Sequence, residues 1–227
     1  MNKLLKLVDQ GYAEFQNLNQ FQKQDFLQAL EKTLSNKYCL PSCKVEISTL
    51  APIGTSLGHR PPACFKPRPN EFPLIVFDAE KLNLYSYIKV VKLLFHEWMH
   101  YLNYFHLREN RLVIPERYLS FIEKSDSVKK LKVASVENRT LASALQKLSP
   151  GEYVADLFAR DILRIIADKA FDNQLKINAK EKILSEEKKE ANYLASINRI
   201  CQTSYFHPSE IEFEKIVKRS KNNDKKI

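Results

Sequence analysis

The chain has 227 residues, 44% of them hydrophobic, and a mean hydropathy of −0.38. That composition supports one ordinary core with room for an appendage, and no apolar run approaches the ~18 residues a membrane helix requires. Four Gly against ten Pro, with neither G-x-G-x-x-G nor G-K-[ST], argue against a phosphate-cradling nucleotide fold. The formal net charge is +9, and the last ten residues carry a net +4 of it. The remainder is mildly basic, so residues 218–227 read as a solvated tail capable of weak contact with nucleic acid. The opening stretch is interrupted by Asp9, Gln10 and Glu14 and forms no export signal, so a cytoplasmic location is expected. Cys39, Cys43, Cys64 and Cys201 are expected as thiols there.

In chain order, Leu4, Leu7, Val8, Tyr12 and Phe15 recur at helical spacing, as do Phe26, Leu27, Leu30 and Leu34, with Pro41 ending that region. Lys44–Ser48 alternates with period two and reads as a strand. Residues 50–71 hold five prolines and two glycines and read as loop, with an irregular edge strand near Ala63–Lys66. Phe72–Asp78 is a second strand of buried type. Asn83 is expected to cap a long helix whose apolar face runs through Leu84, Tyr87, Ile88, Val91, Leu94 and Phe95. Helices are then expected over Pro115–Ile122, Ser127–Leu148, Glu152–Ala170 with Pro150 at its first position, Asn178–Cys201 and Pro208–Val217. Two short strand regions among so many helices give the class α+β.

One motif carries chemistry: His96-Glu97-Trp98-Met99-His100. Histidines at i and i+4 lie about 40° apart on one side of a helix, one turn along. Both imidazoles can therefore reach one metal, and Glu97 beside the first can take a proton from water that the metal activates. A catalytic zinc needs a third protein ligand, and two positions compete for it. His106 stands where a third histidine follows in H-E-x-x-H-x-x-G-x-x-H. Position 103 is Asn rather than Gly, and no methionine lies downstream of the motif. On an unbroken helix His106 would stand ~15 Å along the axis from His96.

The other position is Glu152, in the first turn of a helix opened by Ser149-Pro150. Asp156 follows one turn later on the same face, placed to accept an N–H from a liganding imidazole. Small Ala155 and Ala159 permit close approach to the motif helix. The plain alternative for Glu152 is a carboxylate favoured by the helix dipole. His59 and Tyr153 are further candidates for an oxyanion partner; for His59, an ordinary surface-loop histidine is the competing reading.

H-E-x-x-H followed by E-x-x-A-D-x-F-A resembles the gluzincin metallopeptidases, and similar pairs occur in ImmA/IrrE-type bacterial and phage proteins. The likeness spans roughly residues 43–170, including a strand, the Gly58-His59 stretch and a buried strand ending at Phe77-Asp78 ahead of the motif. It implies a mostly helical zincin-like α+β domain with a small sheet against the motif helix. It further implies zinc on His96, His100 and Glu152, Glu97 as general base, Asp156 behind an imidazole, and a protein or peptide substrate. The expected organisation is a helical segment at 1–42, the metallopeptidase core at 43–175, helices at 176–217 and a disordered basic tail at 218–227. The alternatives are a metzincin-like site using His106, and a non-catalytic basic binding protein whose zinc site is structural or decayed.

Overall fold

A computed structural model describes residues 2–50, 61–68, 71–109, 114–129, 136 and 138–223. Among them the fold is α+β. Helices α1 (Asn2–Glu14) and α2 (Gln20–Lys37) lead to strands β1 (Lys44–Ser48), β2 (Ala63–Lys66) and β3 (Leu74–Asp78). Helices α3 (Ala79–Leu84), α4 (Tyr87–Glu109), α5 (Glu116–Lys129), α6 (Arg139–Lys147), α7 (Pro150–Lys169), α8 (Asn173–Cys201) and α9 (Phe213–Asn223) follow. No helix among the described residues is long and apolar enough to cross a membrane.

The sheet has the order β1-β3-β2. β3 is buried throughout, which is why Leu74-Ile75-Val76-Phe77 shows no alternation. β1 runs parallel to it, with Lys44 opposite Leu74 and Ser48 opposite Asp78. β2 runs antiparallel, with Ala63 opposite Phe77 and Lys66 opposite Leu74. The outer edge of β1 is closed by glutamines one turn apart on α2. Gln28 Oε1 accepts from Val45 N–H (2.8 Å) and Gln24 Oε1 from Ile47 N–H (3.1 Å). Gln28 Nε2 donates to the Cys43 carbonyl (2.9 Å) and Gln20 Nε2 to that of Ile47 (3.2 Å). Side-chain amides both donate and accept, so one row serves both kinds of backbone group along that edge.

Several boundaries differ from the sequence expectation, each for a local reason. Asn83 lies inside α3 and caps nothing. The cap is Asp78, whose Oδ1 accepts from Lys81 N–H (3.1 Å), while α4 starts afresh with Lys89 and Val90 N–H donating to the Ser86 carbonyl. α5 runs on to Lys129, and α6 begins separately at Arg139 because Asn138 Oδ1 accepts from Leu141 N–H (3.0 Å). α8 starts at Asn173 rather than Asn178, since Asp172 Oδ1 takes Leu175 N–H (2.8 Å). The expected Pro208–Val217 helix is a 3-10 turn at Pro208–Glu210 and then α9. α9 continues to Asn223, so residues 218–223 of the supposed disordered tail are helical; residues 224–227 lie outside the described residues.

The chain forms two compact units, residues 1–113 with 158–183, and residues 114–157 with 184–227. In the first, α1 and α2 share a core with the sheet and α4. Leu4, Leu5 and Val8 are buried, and Gly11 is required where α1 passes close by. A Cβ there would collide with the Phe26 ring and the Tyr87 hydroxyl, and that hydroxyl donates to the Val8 carbonyl (2.8 Å). In the second unit Tyr153, Phe121 and His207 form a ring cluster, with Tyr153 and Phe121 centroids 4.9 Å apart. All four cysteines are free thiols. Burial pushes the Cys43 thiol well above its ordinary range, and its Sγ donates to the Pro73 carbonyl (3.0 Å).

Candidate metal centre

α4 is held by an apolar set that includes Val91, Leu94, Phe95, Trp98 and Leu102, all fully buried. That burial fixes where the other side chains point. His96 is buried and His100 half-buried, and their Nε2 atoms face each other at 3.2 Å with the rings inclined at 77°. Pro150 is the first residue of α7, whose first turn contains Glu152. Glu152 lies less than two turns from Phe158 along one unbroken helix, and the Phe158 ring stacks on Trp98 of α4 (5.5 Å, 25°). One ligand atom from each of His96, His100 and Glu152 lies within 4.8 Å of the others.

The donor set fits zinc. Two imidazole nitrogens at Zn–N distances of 2.0–2.1 Å and a tetrahedral angle stand ~3.3 Å apart, close to the 3.2 Å found here. Two histidines and a glutamate form an established catalytic zinc set that leaves a position open, and imidazole with carboxylate suits that metal.

Glu97 is buried at the next position round the helix, and its Oε2 accepts from the backbone N–H of Phe65 (2.8 Å). Phe65 opposes Ile75 at a position of β2 whose N–H points away from β3. The Phe65 ring rests on Tyr101 and Tyr104 (centroids 6.0 and 5.7 Å), which continue the Glu97 face of α4. The edge strand thus fixes one carboxylate oxygen of Glu97 next to the first histidine. A carboxylate oxygen receiving a backbone N–H is held in one orientation. On the same strand, burial raises the Cys64 thiol, Lys66 counters in part and Glu97 adds to the rise.

The remaining sequence candidates fall differently. α4 runs unbroken through Asn103, which is buried, so nothing folds His106 back. His106 is not part of the only His/Cys/Asp/Glu group among the described residues that is spaced to hold a metal. Asp156 is half-buried one turn after Glu152 on α7. Tyr153 is buried, its hydroxyl 3.1 Å from His207 Nε2, while His59 lies outside the described residues. The sequence reading missed Phe65, whose contribution is a backbone N–H and so leaves no mark in residue type. Trp98 is core, but its indole N–H donates to Ser35 Oγ (3.2 Å). No family model matches the chain, and neither a curated protein nor a solved structure matches it.

Proposed function

We propose that the protein is a zinc-dependent peptidase in which His96, His100 and Glu152 hold the metal and Glu97 is the general base. The observation that carries this reading is the convergence of two imidazole Nε2 atoms and a carboxylate at zinc-ligand separations, with a buried glutamate at the adjoining position. Zinc, when bound, acts as a Lewis acid toward a peptide carbonyl and acidifies water. Glu97 takes a proton from the attacking water as the water oxygen bonds to the carbonyl carbon. It returns that proton to the nitrogen as the C–N bond breaks, giving a carboxylate and an amine. The Phe65 N–H holds Glu97 in one orientation through both transfers. Asp156 would serve by accepting an imidazole N–H, which fixes the tautomer.

Metal analysis of the purified protein tests the assignment. About one zinc per chain is expected, lost in His96→Ala and in His100→Ala, held far more weakly in Glu152→Ala and unchanged in His106→Ala. Zinc that persists in both histidine variants overturns the site. Loss with His106→Ala but not with Glu152→Ala replaces the third ligand and with it the gluzincin reading.

A further inference from the structure

On the face of α4 opposite the histidines, a second polar construction is buried among apolar side chains. At about 100° per residue, the direction midway between His96 and His100 lies ~180° from residue 98. Trp98 therefore stands diametrically behind the imidazole pair, and whatever fixes the azimuth of its indole fixes theirs. The indole N–H donates to Ser35 Oγ (3.2 Å), and the Ser35 hydroxyl donates to Glu31 Oε1 (2.6 Å). The order of this chain is set by chemistry. An indole can only donate, an ionised carboxylate can only accept, and a hydroxyl does both.

Glu31 is fully buried and also accepts from Cys43 N–H (2.7 Å), the Ser42 hydroxyl and Gln28 Nε2 (2.9 Å). Four donors on one buried carboxylate make it a rigid anchor. The indole itself packs on both the Tyr38 ring (5.0 Å) and the Phe158 ring of α7 (5.5 Å), which also meet each other (6.3 Å). Tyr101, one turn beyond Glu97, donates its hydroxyl to the Pro41 carbonyl (2.7 Å), so segment 38–43 holds α4 at a second point. Trp98 consequently joins α2, the metal helix α4 and α7, whose first turn carries Glu152.

Resting on the zinc reading above, we propose that Ser35 and Trp98 are positioning residues for the metal: the Glu31–Ser35–Trp98 chain sets the rotation of α4 that brings both Nε2 atoms to one point. Ring contacts alone would keep the helix packed, but they do not fix which edge of the indole faces α2; the directed N–H does. Behind a metal ligand, loss of an orienting partner costs ~10–100-fold in metal affinity, and this chain acts through the helix, so the lower end applies.

The test uses the full-length protein with zinc and with cobalt(II) as probes, measuring zinc affinity by chelator competition, the cobalt visible bands and thermal stability. Ser35→Ala and Trp98→Phe are each expected to weaken zinc about tenfold and to shift the cobalt bands, with Trp98→Phe keeping the ring and the fold if Ser35→Ala does not fold. The double variant Ser35→Ala/Trp98→Phe leaves no indole donor without a partner. It should regain stability over Ser35→Ala while its zinc affinity stays low. Zinc affinity that merely tracks melting temperature across the three variants, or wild-type affinity and cobalt bands in either single variant, overturns the positioning role while leaving the metal site intact. A wild-type protein that takes up no zinc overturns the site itself, and the positioning role with it.

Discussion

Side chains meet backbone groups on both outer edges of the sheet, but with different chemistry. On β1, a row of glutamines from α2 meets backbone donors and acceptors alike. On β2, a single carboxylate from α4 meets the Phe65 N–H. A neutral amide can satisfy both kinds of backbone group and changes nothing with pH, which is what a purely structural edge requires. A carboxylate can only accept, and this one keeps its second oxygen for other work. The amide edge holds the fold, and the carboxylate edge carries the general base proposed above.

Glu97→Gln is the strongest test of that contrast. The substituted amide still accepts the Phe65 N–H, so zinc content and melting temperature should stay near wild type. Hydrolysis of a fluorogenic peptide library should fall by ~10²–10⁴, the usual contribution of a general base. Hydrolysis at the wild-type rate would make Glu97 an edge residue like the glutamines. The converse experiment is Gln28→Leu, which strips Val45 N–H and the Cys43 carbonyl of their partners. A loss of ~1–3 kcal/mol per stranded group is expected from urea denaturation, and Glu31 loses one of its four donors in the same variant. Gln24→Leu removes the bond to Ile47 N–H and leaves the donors of Glu31 in place; about 1 kcal/mol is expected, with zinc affinity unchanged. Altered zinc binding in that variant would mean the two edges are not separate in function.

The smallest effect concerns another buried carboxyl, Glu31. Burial raises the Glu31 carboxyl above its ordinary 4.5, against the opposing hydrogen bonds from Ser35, Ser42, Cys43 and Gln28. A folded-state pKa above the unfolded one stabilises fully below the unfolded value, and that stability is lost as pH rises through the folded value. Wild type should therefore lose stability relative to Glu31→Gln as pH climbs from 4.5 toward the raised value. Urea titrations of both proteins from roughly pH 4 to pH 8 would show it. A difference that stays constant with pH would mean that Glu31 ionises alike in both states.

The helices and strands were mostly legible because their signals are local. Alternation marked Lys44–Ser48, an unbroken apolar run marked β3, and Pro150 marked the start of α7. Boundaries failed where a cap decided them. Asn83, Asp78 and Asp172 are all competent caps by type, and only backbone geometry selected Asp78 and Asp172. The glutamine row at positions 20, 24 and 28 was visible as a spacing of four, yet nothing local says that a strand edge lies opposite it.

For the proposed site, the shared face of His96 and His100, with Glu97 beside them, followed from residue type and helical period alone, since i and i+4 share a face wherever the helix is put. The preference for Glu152 over His106 did not. It rests on α4 running unbroken past a buried Asn103. The Phe65 N–H and the Ser35–Trp98 bond also lay beyond reach from the sequence. Each joins atoms more than thirty residues apart, one of them through a backbone group that every residue but proline carries. Periodicity speaks for one element at a time, and the partner of a buried polar atom is chosen by packing between elements.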